Sequence, residues 1–186
     1  MKRETPALTA LSVCVLLGCA THPPKIEYEP GPAPYSFDCD AQPGYLQEFN
    51  IHVPNGKLRL AGFIEIESVH TPQHPKWRPM VSISLQGPTQ EPLVGFWGVI
   101  NPRLPEQFLL ALRNGLKPSD SQLFMALGVG DPPIAFALTM NESRQLTASV
   151  GEGKDTIQAA QFDVVRANLS CSGVHVRYSY VTVGPE

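Results

Sequence analysis

The chain has 186 residues, with 14 Lys and Arg against 17 Asp and Glu, a formal net charge of −3, and 42% hydrophobic residues. It contains no block of Lys and Arg, which argues against nucleic acid as a partner, because phosphate binding needs clustered cations. Length and apolar content suffice for one domain with a real core.

Lys2 and Arg3 make a short positive start, and the run from Ala7 to Leu17 is almost entirely apolar or small. That layout is a secretory signal, and the run is too short to span a bilayer as a mature helix. It ends in Leu16-Leu17-Gly18-Cys19. This stretch resembles the lipobox of bacterial lipoproteins, an apolar pair followed by a small residue and Cys. The resemblance implies cleavage between Gly18 and Cys19, lipidation of the Cys19 thiol and acylation of the new amino terminus. Several palmitate-like chains on one residue would anchor the protein firmly, since each buried methylene contributes about 0.8 kcal/mol. It also implies a bacterial cell envelope. Ala20, where an Asp would favour the inner membrane, points to the outer membrane, facing the periplasm. The other reading is an ordinary signal peptide with a chance Cys. Loss of residues 1–18 removes Lys2, Arg3 and Glu4, leaving twelve basic and sixteen acidic residues and a net charge of −4.

Of the four Cys, Cys14 leaves with the signal and Cys19 is the lipid site, so Cys39 and Cys171 remain. Two thiols in an oxidising periplasm predict one disulfide. Closing so long a loop contributes on the order of 4–5 kcal/mol in the chain-entropy model. The alternatives are metal binding or nucleophilic catalysis, but two Cys without CxxC spacing make a poor metal site.

Residues 19–36 form a Pro-rich stretch, with Pro23, Pro24, Pro30, Pro32 and Pro34, and read as an extended tether. The domain is expected over 37–186. From Leu46 the pattern has period two, the mark of strands with one buried face. Phe49, Ile51 and Val53 alternate with Glu48, Asn50 and His52, and Asn55-Gly56 then signals a hairpin. Leu58, Leu60, Ile64 and Ile66 oppose Arg59, Glu65 and Glu67, with a bulge expected at Gly62. After a polar loop over 68–79, Val81, Ile83 and Leu85 oppose Ser82, Ser84 and Gln86. Leu93 to Ile100 is apolar on both faces and predicts a central strand. Residues 105–115 carry helix-like punctuation but read as strand among strands. FMALGVG, PIAFALTM and RQLTASVG read as successive hairpins, followed by a loop at Gly151 and Gly153. The last strand is expected to place Val174, Val176, Tyr178 and Tyr180 on one face, and His175, Arg177, Ser179 and Val181 on the other.

About ten short strands with regular turn signals predict an all-β fold, an antiparallel β-sandwich or barrel. The order of features over residues 46–183 resembles the concanavalin-like jelly roll of lectins and laminin-G-type domains. On that fold Cys39 and Cys171 would staple the N-terminal segment to the last strands.

Candidate chemistry is sparse. Glu65 and Glu67 share one strand face, and paired carboxylates are what a retaining glycosidase needs. Laminarinase-type enzymes carry E-x-D-x-x-E on a strand. Here the run is Glu65-Ile66-Glu67-Ser68-Val69-His70, which lacks the last acid. Trp77 borders a polar loop with His70 and His74 and is a candidate stacking platform. Trp97, in the doubly apolar strand, is expected to be core. His70 and His74 lack a third ligand for a metal. Asp131 before two prolines reads as a turn residue. Signatures of serine hydrolases, the P-loop, the dinucleotide fold and HExxH zincins are absent, and no cofactor is expected. The sequence thus predicts a lipid-anchored envelope β-sandwich with a non-enzymatic binding or structural role toward a glycan or a protein. The alternative is a hydrolase of envelope polysaccharide acting through Glu65 and Glu67.

Overall fold

The computed structural model describes residues 26–28, 33–53, 58–70, 78–89, 91–115, 121–159 and 163–185. Within these, the period-two segments become thirteen strands and no helix. Cys19, the Asn55-Gly56 pair, His74 and Trp77 lie outside the described residues.

The strands are β1 (Ile26–Tyr28), β2 (Tyr35–Ala41), β3 (Gln47–His52), β4 (Leu58–Val69), β5 (Met80–Thr89), β6 (Glu91–Asn101) and β7 (Leu104–Asn114). They continue with β8 (Ser121–Gly128), β9 (Ile134–Met140), β10 (Gln145–Val150), β11 (Gly153–Gln158), β12 (Arg166–Ser172) and β13 (Val174–Gly184). A seven-stranded sheet has the order β1-β3-β12-β5-β6-β7-β8, and a six-stranded sheet the order β11-β10-β9-β4-β13-β2. All pairings are antiparallel except the short β1–β3 contact, where Ile26–Tyr28 run parallel to Phe49–Ile51. Part of the Pro-rich stretch therefore joins the sheet edge. The chain crosses repeatedly between sheets, as a jelly roll requires.

This crossing corrects two hairpin expectations. β3 and β4 enter opposite sheets, so they do not pair as the hairpin that Asn55-Gly56 signals. β8 and β9 are likewise in different sheets, whereas β9–β10 and β10–β11 do pair as neighbours. Residues 105–115 are strand, and the expected loop at Gly153 is instead the start of edge strand β11. β6 lies inside the seven-stranded sheet between β5 and β7, as its apolar run predicts.

Between the sheets the inward side chains of both layers form one core, including Phe37, Phe49, Leu60, Ile64, Ile83, Phe96 and Leu138. Each such side chain contributes about 1.5–3 kcal/mol by leaving water. The Cys39–Cys171 disulfide crosses this core, joining β2 of one sheet to β12 of the other over a sequence separation of 132. Tyr178 also spans the core. Its hydroxyl donates to the Ser170 carbonyl at 3.0 Å and lies 3.4 Å from that of Ser82. Burial pushes the phenol pKa up, so the group stays a neutral donor.

The alternation expected along β13 breaks at a bulge. Its register against β4 shifts between Ser179 and Thr182, and Tyr180 takes a φ of 51°. The extra residue reverses the faces: Val181 is fully buried, and Tyr180 is 67% exposed, opposite to the sequence reading. Gly62 lies across from this bulge. A Cβ there would sit 3.0 Å from the Ser179 carbonyl oxygen and 3.1 Å from Val181 Cα. The bulge is thus on the partner strand, and Gly62 makes room for it.

Candidate functional site

The two outward faces differ in chemistry. On the six-stranded sheet the outward positions of β2, β13 and β4 carry Asp38, Asp40, His175, Arg177, Glu65 and Glu67. Antiparallel register puts them side by side, with Arg177 opposite Glu65 and Asp38, and His175 opposite Asp40. Arg177 reaches Glu67 at 2.5 Å and Glu65 at 3.6 Å. The His175 ring bridges Asp38 at 2.6 Å and Glu67 at 3.0 Å. His70 contacts Asp40 at 2.6 Å. Glu65 and Glu67 do share a face, as predicted, but each is engaged by a cation. A general acid here would first have to leave that partner. Asp131 accepts the Gly128 N–H at 3.0 Å, bracing a turn. Among the described residues no group of three or more His, Cys, Asp or Glu is placed to hold a metal ion.

Burial of His175 opposes its charged form, but the hydrogen bond and charge of Asp38, with Glu67 and Asp40 nearby, outweigh it and raise the pKa above 6.5. A raised folded-state pKa stabilises the fold below the unfolded value, and this contribution is lost as pH rises through the folded value. Melting temperature should therefore fall as pH rises from below 6.5 through the raised value, and the fall should shrink in His175→Gln. A variant with the same pH profile as the parent would show that another group is responsible.

The seven-stranded sheet presents something the sequence did not disclose. Six polar side chains are buried among the described residues: Asn50, Ser82, Ser84, Gln86, Asn168 and Ser170. All alternate with core residues on β3, β12 and β5, so all point away from the core. Register aligns them in rows. One row runs Glu48, Ser170, Ser82, Trp97, Ala111, and the next Asn50, Asn168, Ser84, Gly95, Arg113. A third begins His52, Arg166, Gln86. Asn168 Nδ2 donates to Asn50 Oδ1 at 3.0 Å, and Gln86 lies 3.5 Å from the Ser84 hydroxyl. Asn50 is only 6% exposed, yet its Nδ2 has no hydrogen-bond partner. An unmet buried donor is costly, so this atom marks a place where an acceptor is wanted.

Trp97 belongs to this face and not to the core, a second correction. Phe96, paired with Ile83, and Gly98, paired with Val81, take the inward positions on either side of Trp97, which is half-buried on the outward face with the Arg113 guanidinium carbon 4.8 Å from its ring centroid. Such stacking contributes about 0.5–2 kcal/mol and fixes both side chains. A run apolar on both faces hid which set would be inward. Of the predicted binding residues Trp77, His70 and His74, His70 is the one among the described residues, and it pairs with Asp40 of the six-stranded sheet, away from Trp97.

No family model matches the chain, and no curated protein sequence matches it. Solved structures share its fold. An alginate lyase from Pseudomonas aeruginosa superposes with a TM-score of 0.52 at 14% identity, covering 70% of this chain and 65% of the lyase. This chain therefore spans less than two thirds of that protein. The CBM2 module of the evolved Dit of Lactobacillus casei BL23 phage J-1 gives a TM-score of 0.50 at 11% identity, covering 86% and 81% of the two chains. At such identities the likeness is one of fold alone. It agrees with the class defined by the strand order, the concanavalin-like jelly-roll sandwich.

Proposed function

We propose that this protein is a non-catalytic glycan-binding domain, anchored through lipid on Cys19 in the bacterial outer membrane and facing the periplasm. The observation that carries the binding reading is the set of aligned polar rows on the outward face of the seven-stranded sheet, ending in Trp97 and holding the unmet Asn50 donor. Sugars offer many hydroxyl acceptors and donors plus flat C–H faces that lie on aromatic rings, and these rows supply both kinds of contact. The fold neighbours include an alginate lyase by name, which is consistent with this use of the fold but does not assign it. Anchoring rests on the lipobox stretch Leu16-Leu17-Gly18-Cys19.

The test is a glycan array probed with the detergent-purified full chain. Binding to at least one glycan class is expected, and Trp97→Ala should weaken it about tenfold, a loss of about 1.4 kcal/mol, while the melting temperature falls by only about 2–8 °C and the chain stays folded. A chain that binds no glycan while co-purifying with an envelope protein would overturn the glycan reading. Anchoring has its own readout: labelled palmitate should enter the parent chain in cells and not Cys19→Ala. Equal labelling of both would remove the anchor.

A further inference from the structure

Resting on that glycan reading, we infer that the ligand is an acidic sugar polymer bearing carboxylates, held between Arg166 and the Arg113–Trp97 pair. Two buried side-chain atoms on these rows, Asn50 Nδ2 and Arg166 Nε, lack a hydrogen-bond partner, and both are donors. A neutral hydroxyl could satisfy Asn50. Arg166 asks for more, because a guanidinium presents several N–H groups in one plane and fits the planar fork of a carboxylate. One of its terminal nitrogens already lies 3.4 Å from the Pro88 carbonyl, which leaves the head group oriented rather than free to swing.

The register defines where a sugar would sit. Arg166 lies opposite Gln86 on β5, Asn168 opposite Ser84, and Ser84 opposite Gly95, with Arg113 next on β7. The positions between the two arginines are therefore Gln86, Ser84 and Gly95, two polar side chains and a bare backbone. From β12 to β7 is three inter-strand steps, roughly 14 Å at about 4.8 Å per step, a span of about three sugar units. Arg113, already stacked on Trp97, closes one end with both a charge and a ring face. With Glu27 opposite Asn50 on β1, the three rows carry Arg113 and Arg166 against Glu27 and Glu48. The two acids lie on β1 and β3 at one edge of the sheet, and the two arginines on β12 and β7, away from that edge. A larger cluster of acids lies on the opposite sheet, at Asp38, Asp40, Glu65 and Glu67.

The experiment compares polygalacturonate, its fully methyl-esterified form, laminarin and dextran sulfate, using the full chain in detergent. The expected result is binding of the free acid about tenfold or more tighter than the ester, with affinity falling as salt rises. Arg166→Gln and Arg113→Gln should each narrow the acid–ester gap, and Arg166→Lys should recover part of it. Should a Gln variant fail to fold, the acid–ester ratio and the salt dependence of the parent decide alone. Equal affinity for acid and ester overturns the acidic class while leaving glycan binding intact. Dextran sulfate binding as tightly as the uronate overturns carboxylate recognition in favour of a general polyanion surface. Binding to none of the four, nor to any sugar on the array, removes the glycan reading and this inference with it.

Discussion

Replacing Cys39 and Cys171 together with alanine is expected to lower the unfolding midpoint by on the order of 10 °C. The bond closes a loop over a sequence separation of 132, and the chain-entropy model assigns such a loop about 5 kcal/mol, with measured losses commonly about 2–5 kcal/mol. For a domain of this size each kcal/mol moves the midpoint by about 2–4 °C. Both sulfurs are fully buried, so mild reductant acts slowly and the double variant is the cleaner probe. Differential scanning calorimetry of parent and variant decides it. An unchanged midpoint would mean that the unfolded chain gains little freedom when the bond is absent, and that the two sheets hold each other through packing alone.

Gly95→Ala should destabilise the fold by several kcal/mol, enough to deplete folded protein. Gly95 has a φ of +152°, a conformation that L side chains rarely adopt. A Cβ built there falls 2.2 Å from the Ile83 carbonyl oxygen and 2.7 Å from Ser84 Cα, both backbone atoms of the neighbouring strand. Neither can rotate away, so β5 and β6 would have to part in the middle of the seven-stranded sheet. Gly184→Ala is the comparison, since no heavy atom lies within 4 Å of its Cβ position; it should change stability by less than about 0.5 kcal/mol. Urea unfolding of the two variants separates the cases, and similar midpoints would show that the sheet accommodates a methyl group at Gly95. Because Gly95 also forms the floor between Ser84 and Arg113, its bareness serves the shape of the face as well as the sheet.

The strands were legible because burial on one face writes itself as alternation. Phe49 against Asn50, Ile83 against Ser84 and Leu60 against Arg59 each declare a strand locally. The Cys39–Cys171 bond was legible from the cysteine count together with the oxidising compartment that the lipobox-like stretch leads one to expect. Partner choice was not, because whether β3 meets β4 or crosses the core depends on residues over a hundred positions away. The same distance hid the polar rows. Asn50 and Asn168 are 118 residues apart, and each alone looks like an ordinary solvent-facing residue. Trp97 was misplaced because a strand apolar on both sides gives no sign of which face turns inward. β11 was missed since GKDTIQ, an edge strand of intermediate and exposed residues, has no buried face to mark it. Tyr180 was assigned to the wrong side because one bulge residue inverts every later side chain, and nothing in YSYVTV announces it.

The Cys39–Cys171 link also sets how the domain bears mechanical load. Tension entering from the N-terminal side first meets the three rungs of β1 on β3, then β2, which pairs with β13 alone at the sheet edge. Peeling of β2 can proceed from Tyr35 only as far as Cys39. There the covalent bond takes the strain and delivers it to Cys171 in β12, next to Ser170 of the polar rows. Strands β3 to β11 lie inside the closed loop and are bypassed. A pull between the N-terminal side and anything gripped at those rows would thus travel through one sulfur–sulfur bond and one strand, leaving most of the sandwich slack.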